Sequence, residues 1–369
     1  MHFFVLKENI NKALLIVSRS ISTRPQIPIL SNALFKAENG QLKIATTNLE
    51  LGTLFVVPAK IEKEGETTIP GKLISEFISS LQAEKIEFLL EKNNMIVKTG
   101  RTKASFSTIP SSDFPPFDYT VKTRLKFSFK DIKDAVLRTT FAASIDEGRP
   151  ILTGVKTTIK DGKLVFTATD GYRLSREQVE IEDKKSEWQV IIPAKALSEV
   201  VRIAQELKAE EIDVSILEGK NQVVFSVGSV LIFTRLIDGE FPNVEKIIPE
   251  NFKTKVIIDK ELFIQSVKTT SLFARGAANI IKIKVEKDGL RLKAVTPQVG
   301  EDEDFIEAEK EGEELETAFN FRFLLDMLAN IPEEKIIFET SGPLNPGVFR
   351  MFSSSSTFLH IIMPVRIQE

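Results

Sequence analysis

Cysteine is absent from these 369 residues. That excludes a disulfide framework, a thiolate metal site and a cysteine nucleophile, and it sets a reducing cytoplasm as the expected compartment. Histidine is scarce: His2 and His360 are the two present, and they form no HExxH motif. A P-loop, a GxGxxG turn and a GxSxG elbow are all missing, and with them the usual signatures of nucleotide, dinucleotide and acyl chemistry. No run of 18 apolar residues occurs, and the opening MHFFVLKENI has only a short apolar stretch without a small-residue cleavage pattern. The expectation is a protein that neither spans a membrane nor is exported. Neither charge is in large excess: 49 Lys and Arg stand against 52 Asp and Glu, a formal net charge of −3. Attraction to a polyanion would have to come from uneven distribution of those charges.

What is present is ordinary globular material, with 42% apolar and 27% charged residues in a length that suits two or three domains. The most informative stretch is Val165 to Ser175, VFTATDGYRLS. Its first half alternates as a half-buried strand does, and Asp170-Gly171 then turns the chain. Tyr172, Arg173 and Leu174 follow, an aromatic, a planar cation and an aliphatic side by side, which is the composition of a small recognition surface. GQLKIATTNLE from Gly40 and GLRLKAVTPQV from Gly289 are weaker copies of the same stretch.

The whole chain repeats in this way. One amphipathic helix is expected near Lys7, again near Lys130 and again near Asp259, with apolar residues at helical spacing such as Ile10, Leu14 and Val17. A second follows Pro70, Pro193 and Asn320, which are 123 and 127 residues apart. Gly40, Gly162 and Gly289 are 122 and 127 apart, so two independent markers give one period. FSTIPSSDFP from Phe106, FTRLIDGEFP from Phe233 and FLHIIMPVRI from Phe358 close the units. The fold class read from this is α+β: three tandem domains, 1–120, 121–250 and 251–369, each with two helices and several strands, joined by Pro-bearing polar stretches.

Cations collect on the expected helices: Lys12 and Arg19, Lys72, Lys130, Lys133 and Arg138, Lys195 and Arg202, Lys260, Lys268 and Arg275, and Arg322. Acids gather elsewhere, most densely between Glu301 and Glu316. Six helices sharing one surface would make a phosphate-facing surface that reads no sequence.

At this point the chain resembles the bacterial DNA polymerase III β subunit, the sliding clamp family. The resemblance rests on RPQIPILSNAL from Arg24, ATTNLE at Ala45, TIPGKL at Thr68, FSTIPSSDFP, RPILTGV at Arg149, TATDGYRL at Thr167, DGEFPNVEKIIP at Asp238 and MPVRI at Met363. It implies a head-to-tail homodimer whose six domains close as a ring on double-stranded DNA, with helices inside and antiparallel sheets outside. Twelve helices packed roughly 9 Å apart give a ring roughly 35 Å across between axes, wide enough for a duplex with water around it. The implied function is a non-catalytic processivity factor without cofactor or metal. It slides without sequence specificity and tethers the DNA polymerase III α subunit, the clamp loader, other polymerases and repair proteins through short motifs rich in Gln, Leu and Phe.

By the same resemblance, Arg24, Lys72, Arg149, Lys195 and Arg202 contact DNA. The partner peptide would enter between the second and third domains. From the second domain the resemblance names Leu152, Thr169, Gly171, Tyr172, Arg173, Leu174, Pro242, Lys246 and Ile247. From the third it names Asn320, Phe323, Leu344, Met363, Pro364, Val365 and Arg366. Phe106 would meet Leu272 and Phe273 of the partner subunit at the dimer contact. This sequence departs from many members in having Tyr172 where they have His, and in Pro150 and Ile151, which offer no side-chain hydrogen bond. Its tail also runs on through Gln368 and Glu369. Two other readings stay open on residues alone. One is an enzyme using Asp170 and the acids at Glu301–Asp304, and the other is a scaffold that binds peptides without encircling DNA.

Overall fold

The computed structural model describes the chain except residues 23, 24, 26, 117–124, 277, 354 and 367–369. Arg24, the Gln368 and Glu369 tail and the expected boundary at residue 120 lie outside the described residues. All six expected helices form: α1 Lys7–Val17, α2 Gly71–Ser80, α3 Phe129–Thr140, α4 Ala194–Leu207, α5 Lys260–Ala274 and α6 Phe321–Leu328.

Each helix begins at the residue after a strand ends, with no loop between. Such a start leaves the first helical N–H in need of a partner. In α1, α3 and α5 the partner is the carbonyl just before a later strand: Lys7 N donates to Glu84 O, Phe129 N to Glu210 O and Lys260 N to Glu334 O, each at 2.8 Å. The threefold repetition in sequence is thus a repeated hydrogen bond in space. Side-chain caps add to it in the last third alone among the helices whose caps are described: Asp259 accepts from Leu262 N and Asn320 from Arg322 N. Pro70 ends its strand and stands at the N-cap of α2.

Packing divides the chain into two compact units, Met1–Phe129 with Glu199–Leu236, and Lys130–Ser198 with Ile237–Glu369. The first holds a five-stranded sheet, in order Lys60–Lys63, His2–Leu6, Lys85–Glu91, Asn94–Thr99 and Thr102–Ser107. Its second sheet has eight strands and is fused where Val230–Arg235 pairs antiparallel with Leu51–Pro58, Val230 opposite Phe55. The second unit holds a nine-stranded sheet, fused where Arg173–Glu180 pairs with Leu359–Ile362, Leu174 opposite Ile361. A four-stranded sheet, Gly300–Glu307, Gly289–Thr296, Ile280–Glu286 and Leu315–Asn320, completes it. The middle repeat therefore gives strands to both units, and this is why packing yields two bodies where the sequence repeats three times.

Aromatic contacts anchor both cores. In the first unit Phe3 stacks on Phe88 at 4.8 Å, with Phe35 beside them. In the second Phe319, Phe338 and Phe349 pack with centroids 5.0 to 6.1 Å apart. Gly347 makes that triad possible, since a Cβ there would lie 2.5 Å from the Phe319 ring.

The glycine markers prove unequal. Asn39-Gly40 and Asp161-Gly162 both have positive φ at both residues, the mirror-image turn that suits a two-residue hairpin. Gly289 instead opens its strand and lies so close to Ile306 O that a Cβ would strike it. Strand Lys163–Thr169 also differs from expectation: Leu164, Phe166 and Ala168 are buried as the alternation predicts, but Thr167 and Thr169 are buried too. Its second half is covered on both faces. No helix among the described residues is long and apolar enough to cross a membrane.

Candidate partner and nucleic-acid interfaces

The turn after strand Lys163–Thr169 is built by two side chains. Thr169 Oγ1 donates to Arg173 O at 2.6 Å and accepts from Gly171 N, while Asp170 Oδ1 accepts from Tyr172 N and Arg173 N. Gly171 takes φ +94°, a conformation that favours glycine. The first repeat builds the same turn from Thr47 and Asn48: Thr47 Oγ1 donates to Leu51 O and accepts from Leu49 N, and Asn48 Oδ1 accepts from Glu50 N and Leu51 N. Asp170 is thus a turn former. Its two oxygens are engaged by backbone N–H groups and by Arg173 Nε.

The turn holds Tyr172 outward, 62% exposed. Its carbonyl accepts from Met363 N at 2.8 Å, and Val365 N donates to Ala318 O, so the tail segment is fixed beside the turn. Met363 and Ile247 are exposed, and Leu152, Pro364 and Val365 are partly so. Side chains of this kind suit leucine and phenylalanine anchors. Pro242, Lys246 and Arg366 are exposed, and Leu344 stands out from the loop between strands Lys335–Thr340 and Gly347–Met351.

Three residues named for this pocket do other work. Leu174 is 1% exposed and packs with Val348, Leu359, Ile361, Phe241 and Val244, so it is floor or core and offers no open wall. Asn320 caps α6. Arg173 points to the helices, where its guanidinium is one-tenth exposed, paired with Asp170 and Asp326 and lying 4.6 Å over the Phe323 ring.

Sequence reasoning did not find the cleft of about 440 Å³ farther along the same strand, lined by Arg176, Gln178, Glu245, Ile248, Arg350 and Leu359. Arg176 is held there by both oxygens of Glu245, at 2.8 and 2.9 Å. Strand alternation places Leu174, Arg176 and Gln178 on one face, which is the local signal that was available. The pairing of this strand with Leu359–Ile362, which completes the cleft, leaves no local trace.

Behind the strand lies a polar layer. Ser175 Oγ donates to Arg138 O at 2.5 Å, and His360 Nδ1 lies 3.2 Å from Ser175 Oγ. With the serine hydrogen committed, the imidazole must donate from Nδ1 and carry its lone pair on Nε2, which is buried without a partner. Burial, helped by the Arg173 charge, pushes the His360 pKa down to about 3. Burial likewise raises that of Glu177, against the pull of Thr357 and Arg138.

The helix cations divide into two groups. Arg19 is ion-paired to Glu199 and Glu206, Arg138 to Asp134 and Glu177, and Lys260 Nζ donates to Ile331 O. Lys12, Lys72, Lys130, Lys195, Arg202, Lys268 and Arg322 remain exposed, at least one on each helix. Among the described residues Lys195 and Arg202 make only loose ion contacts, 3.9 Å to Glu147 and 4.0 Å to Glu199. Arg149 is exposed but engaged, with Nε on Asp146 and Nη1 donating to Asp170 O.

At the expected dimer contact, Leu272 is 58% exposed on α5 and Phe273 is half-buried. Phe106 is 6% exposed, edge-on to Phe77 within its own chain. Its strand, Thr102–Ser107, ends the five-stranded sheet, and Gly300–Glu307 ends the four-stranded one. Three acids of that second edge are engaged: Glu301 and Glu303 with Lys293, and Asp302 with Thr270 Oγ1. Among the described residues no three His, Asp or Glu side chains are placed to hold a metal.

Comparison with known proteins accords with this geometry. Descriptions of the DNA polymerase III beta subunit match in order, the N-terminal domain over residues 1–118, the central domain over 126–243 and the C-terminal domain over 245–366. The beta sliding clamp of Staphylococcus aureus is 28% identical over 360 residues, 94% of each chain. The crystal structure of the DNA polymerase sliding clamp from Bacillus subtilis superposes with a TM-score of 0.94 at 26% identity, and that of the DNA polymerase III beta subunit from Thermotoga maritima with 0.92 at 28%. In both cases all of each chain is covered.

Proposed function

The chain belongs to the DNA polymerase III beta subunit family and is a DNA sliding clamp, a processivity factor; we propose that it holds duplex DNA by enclosing it rather than by gripping it. Three domains, with boundaries near residues 120 and 250, join a second copy head to tail in a closed ring. The observation that carries this reading is the exposed cation retained on each of the six helices of an acidic protein. Helices of this kind facing phosphates through water bind without reading sequence, and weak, wet contacts let the ring slide. Lys72, Lys195 and Arg202 are the principal contacts in this reading, and Arg24 is added to them by the family resemblance alone. Arg149 serves first to brace the Asp170 turn.

Two sheet edges support the head-to-tail contact. Thr102–Ser107 carries Lys103 beside Arg101, whereas Gly300–Glu307 carries Glu301, Asp302, Glu303 and Asp304. An open edge is a template for another strand, and opposite charges favour this pairing over either edge with itself. Leu272 supplies exposed apolar surface next to it.

Replication partners, the DNA polymerase III α subunit and the clamp loader among them, dock by short Gln, Leu and Phe motifs on the rim of Tyr172, Leu152, Ile247 and Met363. The subunit itself is non-catalytic. It works in the cytoplasm by keeping the polymerase at a high effective concentration near the primer end.

The test is retention on a nicked circle and on the same DNA linearised, after loading and a high-salt wash. Salt screens phosphate contacts but cannot unlink a closed ring. Retention on the circle with loss from the linear form is expected. Equal loss from both would replace enclosure with a peptide-binding scaffold.

A further inference from the structure

This inference rests on reading the Tyr172 rim as the partner pocket. The turn that presents Tyr172 is fully specified by Thr169 and Asp170, since Thr47 and Asn48 make the same turn in the first repeat, where Leu51 occupies the position of Arg173. A cation is therefore unnecessary for the turn itself. Arg173 nonetheless makes three hydrogen bonds: Nε to Asp170 Oδ2 at 3.1 Å, Nη1 to Asp326 Oδ2 at 2.6 Å and Nη2 to Phe141 O at 2.7 Å. Its plane also lies over the rings of Phe323 and Phe141. Two of these bonds leave the turn altogether, one for α6 and one for the carbonyl that follows α3.

We infer that Asp326 is a positioning residue for partner capture: through Arg173 it bolts the Tyr172 turn, to which Met363 N is itself bonded, onto α6 and so sets how the rim stands against Phe323, where a peptide anchor fits. Asp326 lies on α6 and reaches the rim only through Arg173. The guanidinium suits the task because its planar fork serves three acceptors in different directions while stacking on an aromatic face, which an ammonium cannot do. The tail is fixed separately, by Met363 N on Tyr172 O and Val365 N on Ala318 O. When the bolt is removed the turn and the tail stay folded but lose their fixed relation to the helix.

The experiment uses the full-length protein and a fluorescein-labelled peptide bearing Gln, Leu and Phe anchors, followed by anisotropy. Asp326→Asn keeps the shape and removes the charge, and it is expected to weaken binding about tenfold, the scale of one charge-assisted hydrogen bond. Asp326→Glu should bind within about threefold of the parent, and Asp326→Asn should cost little more once Arg173→Lys is present, because that change has already removed the Asp326 bond along with those to Asp170 and Phe141 O. A purely structural role would instead lower the thermal midpoint of Asp326→Asn in step with affinity. Tyr172→Ala separates the two levels. If it abolishes binding while Asp326→Asn matches the parent, the bolt is wrong and the pocket stands. If it leaves binding intact, the pocket reading fails and the bolt loses its purpose.

Discussion

His360 is closed in by Phe141 and Phe358, and the hydrogen bond it gives to Ser175 fixes which nitrogen carries the proton. A folded-state pKa of about 3 against an ordinary value of 6.5 means that the unfolded chain binds one more proton between those limits. Its contribution to stability is therefore complete above about pH 6.5 and is lost as pH falls toward 3, with a slope approaching 1.4 kcal/mol per pH unit. Glu177 acts in the opposite sense, because its raised pKa favours the fold while it stays protonated and its contribution declines as pH rises. Denaturant midpoints measured from pH 7 to pH 4 should fall, and His360→Phe should flatten that fall by about one proton. An unchanged slope would mean that the ring can take its proton in place. At this scale the sequence marked which residues are unusual but not which way they face. Arg173 and Leu174 were read as neighbours on one surface, yet alternation along the strand sends one to the helices and the other to the opposite face.

Elements were more legible than residues. Strand ended by turn and helix after Pro or Asn could be read because hydrophobic period and punctuation are local properties. Sheet edges could not, since an edge is defined by the absence of a neighbour. Phe106 shows the consequence: the ring is enclosed by Phe77, and what its strand offers a second chain is the open backbone edge. Changing Leu272 to Ala together with Phe273 to Asp should give monomers in sedimentation, and Lys103→Glu should weaken the dimer more at low salt than at high. A dimer indifferent to all three would place the interface elsewhere. Within the second core, Phe338→Ala should cost about 3–5 kcal/mol, because the Phe319 and Phe349 rings cannot close over the space.

On the scale of the whole molecule, charge distribution matters more than net charge. Lys72→Ala with Arg202→Ala removes two exposed helix cations and should lower the slope of log affinity against log salt on linear duplex by about 2. Retention on a nicked circle after a high-salt wash should be unaffected, because a link does not depend on contact energy. If retention on the circle falls in proportion to affinity, the contacts are holding the DNA and the ring is not.

The sequence by itself determined the repeats, the six helices and the placement of cations on them, because each is carried by residues close in the chain. Tertiary structure decided which cations are free. Arg19 and Arg138 are consumed by carboxylates far away in sequence, and Arg149 and Arg173 brace a turn. It also decided that the middle repeat is fused into sheets on both sides, through Val230 opposite Phe55 and Leu174 opposite Ile361. Pairings of that kind are chosen by the register of whole sheets, and no single strand carries a record of the partner it will meet.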